Sequence, residues 1–119
     1  MTPFHFACRK QHFNVVEFLL QKSAEYNIDL NAKNSYGWTA FHFACFYGRA
    51  QIVDNIIKIK DRFKIDVKAK TNIGRTGFQL AKIEKNHDVI NLIKRKMPSL
   101  ADLYLPDSKR RKFLEIIMH

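Results

Sequence analysis

The sequence predicts an all-α solenoid, in which helix-turn-helix repeats stack side by side and short β-hairpins or turns connect them. The main observation is a phrase that recurs: residues 2–8 (TPFHFAC) return as 39–45 (TAFHFAC) and, altered, as 76–82 (TGFQLAK). The copies begin 37 residues apart. A fixed period of this length indicates one structural unit copied along the chain. The second observation is that apolar residues at helical spacing follow each phrase.

The middle copy begins with a turn and a short helix. Residues 34–38 (NSYGW) form the turn, in which Gly37 is free to take a positive φ. Thr39 is a favourable N-cap, because its hydroxyl accepts a hydrogen bond from a free amide of the first turn. We expect the helix over residues 40–47, and Gly48 ends it in the left-handed conformation.

A second helix completes the unit. We expect it over residues 50–60, because four apolar residues there recur at helical spacing: Ile52, Val53, Ile56 and Ile57. Residues 66–70 are predicted to be extended and to lead to the next turn at Gly74. Neither helix is long enough to be stable alone, so stacking has to stabilise them.

The chain divides into an array over residues 1–97 and a basic tail over residues 98–119. The three repeats span about 2–33, 34–70 and 71–97. In the tail, Pro98 and Ser99 end the last repeat helix, and a further helix is expected after Pro106. We expect Leu100, Leu103 and Tyr104 to cover the C-terminal face of the array.

These motifs resemble the ankyrin repeat. That family carries Thr-Pro-Leu-His-x-Ala in its first helix, an Ile/Val-Val-x-x-Leu-Leu stripe in its second, and Asp-Val-Asn-Ala before the hairpin. Residues 2–7 (TPFHFA), 15–20 (VVEFLL) and 29–33 (DLNAK) are similar to these three segments. The resemblance covers residues 2 to about 93. It implies a non-enzymatic protein that binds a protein partner, as an adaptor or as the C-terminal end of a longer scaffold.

The copies depart from the family pattern in three places. The period is 37 residues rather than the family's 33, and the extra residues, 23–26 and 61–64, are expected to add one helical turn to each second helix. The third copy has Gln79 for His, Lys82 for Cys, and Lys85-Asn86 where the middle copy has Gly48-Arg49. This is typical of a terminal repeat.

The first copy has Gln11 in place of glycine and no hairpin before it. Arrays need capped ends, so we expect Phe4, Phe6 and Val15 to lie partly open to solvent. The expected consequences are marginal stability, self-association through this N-terminal face, or an upstream segment that covers it.

The resemblance also implies where a partner binds. The family's concave surface is formed by hairpin tips and by the exposed end of each first helix. The corresponding residues here are Arg9, Lys10, Ser35, Tyr36, Trp38, Phe46, Tyr47, Asn72, Ile73 and Arg75, with Ile83 and Glu84 beyond them. Four aromatic residues in one repeat are typical of an interface, although packing on neighbouring repeats is the alternative for each.

Two His-x-x-Cys pairs, His5/Cys8 and His42/Cys45, have the inventory of a Cys2His2 zinc site. The pairs lie on separate helices, so we favour a histidine that hydrogen-bonds at the helix start and a cysteine in a small buried slot. Equivalent points on stacked helices are about 8–10 Å apart, too far for a disulfide. The sequence predicts no catalytic residue, no metal and no cofactor.

The net charge of +10 is placed unevenly. Residues 1–57 carry five Lys and Arg against four Asp and Glu, whereas residues 58–119 carry sixteen against seven. Two basic clusters, 94–96 and 109–112, lie in the second half: Lys94, Arg95, Lys96, Lys109, Arg110, Arg111 and Lys112. They match a bipartite nuclear import signal, or they are solvated helix surface. The alternative function is therefore a nuclear or nucleic-acid-associated protein.

The chain has no apolar run near 18 residues and no basic segment followed by an apolar stretch at its start. The sequence therefore predicts neither a membrane span nor a signal peptide. We expect an intracellular protein, cytoplasmic or nuclear.

Overall fold

The computed structural model describes residues 1–102, and these residues form seven α-helices and no strand. The helices are α1 (Pro3–Lys10), α2 (Phe13–Lys22), α3 (Ala40–Phe46), α4 (Ala50–Phe63), α5 (Gly77–Ile83), α6 (His87–Lys96) and α7 (Pro98–Asp102). The prediction of an all-α repeat fold is confirmed. None of these helices is both long and apolar enough to cross a membrane.

The first helix of each repeat begins with a capping box. The hydroxyls of Thr2, Thr39 and Thr76 accept from the backbone N–H three residues later, and the side chain found there accepts from the threonine N–H. That side chain is His5, His42 or Gln79. Each box satisfies two of the amides that a helix start leaves without partners.

The first helices of the repeats, α1, α3 and α5, pack side by side and are called the inner helices. The second helices, α2, α4 and α6, are the outer helices, and each packs on the inner helix of its own repeat. Small residues allow this close approach, since Ala7, Ala44 and Ala81 are buried at equivalent positions of the three inner helices. Cys8 and Cys45 are fully buried and unpaired, as predicted.

The inner helices α1, α3 and α5 are followed by equivalent left-handed residues of different types. Gly48 has φ +70°, which a residue without a Cβ adopts easily. Gln11 and Lys85 hold the same conformation with φ of 59° and 56°. The first and third copies therefore keep this turn, although the glycine that favours it is absent there.

The extra residues of the 37-residue period act differently in the first two copies. In the second copy the outer helix α4 continues to Phe63, which confirms the added turn. In the first copy the prediction is wrong, because α2 ends at Lys22 and turns follow it. The hydroxyl of Ser23 donates to the carbonyl oxygen of Leu20 at 2.8 Å, and Asn27 has φ +51°, so the chain leaves the helix there.

The segments before the hairpins contain side-chain turns and are not strands. Asp29 accepts a hydrogen bond from the N–H of Asn31, and Asp66 accepts one from the N–H of Lys68, both at 2.9 Å. The extended segment predicted for residues 66–70 thus begins with a turn that the aspartate side chain closes.

The N-terminal face of the array is open at Phe6 and Val15, which are 48% and 43% exposed. The expectation for Phe4 is wrong, since this ring is only 2% exposed. Its equivalent Phe41 lies against the position of Gly77, so this side chain faces the following repeat. Phe18, 56% exposed, adds to the open face.

The C-terminal face of the third repeat meets α7. This short helix packs on α6 and contributes Leu100, which is fully buried. The predicted covering residues Leu103 and Tyr104, the helix after Pro106 and the second basic cluster lie outside the described residues.

Candidate protein-binding surface

The hairpin of the second repeat is shaped by Asn34. Its side-chain oxygen accepts hydrogen bonds from the backbone N–H groups of Tyr36 and Trp38, at 2.9 and 3.0 Å. The backbone closes the same turn, since Asn34 N–H donates to the carbonyl oxygen of Trp38 and Gly37 N–H donates to that of Asn34. Tyr36 is left at the tip with 72% of its surface exposed.

The hairpin of the third repeat is tied to the second. The N–H of Asn72 donates to the carbonyl oxygen of Tyr36 at 3.0 Å, and its side-chain amide donates to that of Ser35 at 2.8 Å. A Cβ on Gly37 would lie 2.7 Å from the nitrogen of Asn72, so glycine permits this approach. The two hairpins form a hydrogen-bonded edge, with Ile73 at the second tip 78% exposed.

Two histidines connect the hairpins to the inner helices. His5 accepts at Nδ1 from the N–H of Thr2, at 3.0 Å, and donates from Nε2 to the carbonyl oxygen of Trp38, at 2.9 Å. His42 repeats this arrangement with Thr39, at 2.9 Å, and with the carbonyl oxygen of Arg75, at 3.2 Å. Nδ1 accepts and Nε2 donates, so this pattern fits the neutral imidazole.

The interpretation of these histidines as hydrogen-bonding residues at helix starts is confirmed, and both ring nitrogens of each are engaged. Burial lowers the pKa of His42, with Lys33 adding to the effect, while bonds to backbone carbonyls and Asp66 oppose it. Burial raises the pKa of the Cys8 thiol to about 12 and that of Cys45 further. Such buried thiols remain protonated at neutral pH.

An aromatic cluster covers the surface beside the second hairpin. The ring of Trp38 lies 5.0 Å from that of Phe43 and 5.1 Å from that of Phe46, measured between centroids. Tyr47 packs edge-on against Phe46 at 5.0 Å and parallel to Phe43 at 6.4 Å. Trp38 and Phe46 are partly buried by these contacts, whereas Tyr47 remains exposed.

These rings enclose a cavity of about 440 Å³ that opens to solvent. We call it the aromatic cavity. It lies between the two hairpin tips and the end of α3, and it is lined by Asn34, Tyr36, Trp38, Phe43, Phe46, Tyr47, Asn72 and Ile73. The volume lies in the range of about 300–1,000 Å³ that is usual for binding pockets.

A cationic residue, Arg9, contacts one ring of the aromatic cavity. The guanidinium carbon of Arg9 lies 4.9 Å from the centroid of the Tyr47 ring, a cation–π contact. Arg49 donates from Nε to the carbonyl oxygen of Arg9 at 2.8 Å, which fixes the end of α1 against the second repeat. Lys10 and Arg75 are exposed.

The structure brings together most of the residues that the sequence singled out. Six of them line the aromatic cavity: Tyr36, Trp38, Phe46, Tyr47, Asn72 and Ile73. Ser35 is exposed at the hairpin, and its carbonyl oxygen holds Asn72. Ile83 and Glu84, at the end of α5, are exposed but do not line the cavity.

Sequence reasoning missed Phe43 and Asn34. Phe43 belongs to the repeated phrase, so the pattern assigned it to the frame, yet its ring forms the floor between Trp38 and Tyr47. Trp38 also packs within its own repeat, because the indole contacts the rings of Phe43 and Phe46. The sequence did contain a signal for this turn, because asparagine at its first position commonly accepts hydrogen bonds from the following backbone N–H groups.

The first basic cluster is exposed in the last turn of α6, at Lys94, Arg95 and Lys96. Cations are favourable at this end of a helix, because the last carbonyls carry a partial negative charge. This cluster belongs to an outer helix, whereas the aromatic cavity is formed by hairpins and by the inner helix α3.

Comparison with known proteins identifies the repeats. A family model of ankyrin repeats (three copies) matches residues 1–71, more than half of the chain. No curated protein matches the chain.

Among 170 similar chains of solved structures is one from the Bd0816 predatory endopeptidase of Bdellovibrio bacteriovorus in complex with immunity protein Bd3460. It is 26% identical with a TM-score of 0.66, and the match covers 82% of this chain and 47% of that one. This chain therefore corresponds to about half of its structural relative. The recurring caps, buried alanines and family match together establish that the chain belongs to the ankyrin-repeat family.

Proposed function

We propose that this protein is a non-enzymatic interaction module, an adaptor or scaffold, that binds a protein partner through its hairpin tips and the exposed ends of its inner helices. The observation that carries this proposal is the aromatic cavity with Tyr36 and Ile73 at its two tips, 72% and 78% exposed. In this arrangement residues 1–97 carry the interaction, and α7 caps the array with the buried Leu100.

The hydrogen bonds that hold the hairpins support this function. Asn34 fixes one tip and Asn72 ties it to the next, so little conformational freedom is lost when a partner binds. Aromatic side chains and arginine dominate the binding energy of protein interfaces, and both are present at this surface. The structural relative was solved in an endopeptidase–immunity protein complex, which supports protein binding without identifying a partner for this chain.

Cellular location is part of the proposal. The unpaired thiols of Cys8 and Cys45 support an intracellular protein. Nuclear import through the two basic clusters is tested by a fluorescent fusion of residues 90–119. Accumulation in the nucleus supports the import signal, and a diffuse distribution contradicts it.

Association with nucleic acid through the basic half is the second candidate, supported by the exposed residues Lys94, Arg95 and Lys96. Phosphate contacts make binding strongly dependent on salt. Retention on a nucleic-acid column across a salt series, with and without Lys94→Gln, Arg95→Gln and Lys96→Gln, separates this candidate from protein binding.

The main test compares partner capture by matched variants. The site variant Tyr36→Ala/Ile73→Ser removes two exposed apolar side chains at the tips. The control Tyr26→Ala removes an exposed tyrosine away from the tips and from the open N-terminal face, at 63% exposure. Captured proteins are quantified by mass spectrometry after both variants are shown to unfold like the wild type. We expect the site variant alone to lose a specific set of proteins, and equal capture by both variants would contradict the proposal.

A further inference from the structure

We propose that the aromatic cavity takes an acidic peptide segment with one large apolar side chain. The apolar side chain inserts among the rings, and carboxylates on either side of it face Arg9, Lys10 and Arg75. This inference rests on the proposed function, because it names the kind of protein segment that the same surface binds.

The cavity itself selects an apolar group. Its lining consists of five aromatic residues of the second repeat, Ile73, and two asparagines at the hairpins. The asparagine side chains are already engaged in the hairpins, Asn34 with backbone N–H groups and Asn72 with the carbonyl oxygen of Ser35. An inserted side chain therefore gains mainly from the removal of apolar surface from water.

The charges beside the cavity select the flanking residues. Arg9 contacts the Tyr47 ring, Lys10 follows it at the end of α1, and Arg75 follows Ile73 by two residues in its hairpin. Within the two hairpins and the last turns of the described inner helices, Glu84 is the only carboxylate. The local potential is therefore positive, which attracts an acidic segment and repels a basic one.

A cationic side chain is a poor occupant, although aromatic rings attract cations. Among residues 1–102 no carboxylate lines the aromatic cavity, and one face of Tyr47 is already used by Arg9. A buried cation without a counter-ion is costly, and the neighbouring arginine adds repulsion. The cavity thus differs from a cage that recognises a positively charged group.

The arrangement of the rings favours a peptide over a single-stranded nucleic acid. Base stacking needs free ring faces along the path of the strand. Here Trp38 is inclined at 52° to Phe43 and at 66° to Phe46, and Phe46 is inclined at 76° to Tyr47. Two of these pairs are edge-to-face, and Tyr47 lies parallel to Phe43, so neighbouring rings of the cluster already cover much of the ring faces. The rings form a cup for one side chain.

The test uses the single tryptophan of the chain, Trp38, whose fluorescence reports directly on the aromatic cavity. The whole protein is titrated with four short blocked peptides that contain no tryptophan or tyrosine. Their sequences are DEFED, KKFKK, QSFSQ and DEAED, and an oligothymidylate is the fifth probe. At about 50 mM NaCl we expect DEFED to bind about tenfold more tightly than KKFKK, and DEAED to leave the fluorescence unchanged. At about 1 M NaCl the advantage of DEFED over QSFSQ should disappear, because charges are then screened beyond about 3 Å.

Two charge variants locate the effect. Arg9→Gln/Arg75→Gln should reduce the preference for DEFED over KKFKK to about twofold, whereas the control Lys94→Gln/Arg95→Gln should preserve it. Equal or tighter binding of KKFKK or of the oligothymidylate overturns the acidic-segment proposal, and so does the absence of any fluorescence change up to about 1 mM peptide. Protein binding through the tips is judged separately, by partner capture with Tyr36→Ala/Ile73→Ser.

Discussion

The imidazole of His5 donates a hydrogen bond to the carbonyl oxygen of Trp38, so the histidine of the repeated phrase holds the hairpin of the next repeat. His42 does the same for Arg75. Gln79 keeps the capping box of the third repeat, and no hairpin follows it within residues 1–102. Histidine thus occurs where the side chain both caps its helix and holds the next hairpin, whereas glutamine occurs where it only caps the helix.

Stability should fall below neutral pH because of His42. Burial lowers its pKa from the ordinary 6.5, so the unfolded chain binds the proton more readily than the folded chain. The contribution is therefore fully present above about pH 6.5 and is lost as the pH falls towards the lowered pKa, with a slope of at most about 1.4 kcal/mol per pH unit. Urea unfolding between pH 5 and 8 measures it.

His42→Gln is the matched variant for this measurement, because Gln79 shows that glutamine preserves the capping box. We expect lower stability at pH 8, since the bond to Arg75 is lost, and a shallower decline towards pH 5. A decline as steep as that of the wild type would assign the pH dependence to other groups.

Trp38 and Tyr36 should contribute very differently to the free energy of unfolding. Trp38→Ala removes an indole that packs on two phenylalanines, and we expect a loss of about 2 kcal/mol in the free energy of unfolding. Tyr36 is 72% exposed, so Tyr36→Ala should change this free energy by less than about 0.5 kcal/mol. Chemical denaturation of both variants measures the difference, and equal losses would place Tyr36 in the core.

The sequence predicted the helix starts well because their causes are local. A threonine cap and its partner three residues later interact within one turn, so the repeated phrase contains all that is needed. The ends of the outer helices were harder to predict. Ser23 ends α2 with a side-chain bond to the backbone, while the matching segment of the second copy continues as a helix.

The binding surface was predicted only in part, because its shape depends on stacking. Residues at the tips of the hairpins are predicted to be exposed because no repeat packs over them, and Tyr36 and Ile73 are exposed. Whether a residue of the inner helix faces a partner or a neighbour depends on contacts across repeats. Phe43 approaches His5 of the preceding repeat, 38 positions earlier, at 5.6 Å, and the repeated phrase does not reveal this proximity.

Lys85 should be replaceable by glycine with a gain in stability. Its φ of 56° is unfavourable for a residue with a Cβ, and Gly48 occupies the equivalent position in the second repeat. We expect Lys85→Gly to raise the free energy of unfolding by about 1 kcal/mol, because the relief of strain exceeds the added entropy of the unfolded chain. Lys82→Gly, inside α5, is the control and should be destabilising by about 1 kcal/mol. A loss at both positions would mean that the Lys85 side chain makes a stabilising contact.

The open N-terminal face should drive self-association of this chain. Phe6 is 48% exposed, whereas its equivalents Phe43 and Leu80 are 7% and 5% exposed beneath a preceding repeat. With Phe18 it forms an apolar area that gains by burial against another molecule. Sedimentation velocity should show association that increases with concentration, and Phe6→Glu/Phe18→Glu should give a monomer with similar unfolding. The matched control Ile73→Glu places the charge on an exposed side chain of the hairpin edge and should leave association unchanged. A wild-type chain that stays monomeric across the same concentrations would contradict the prediction.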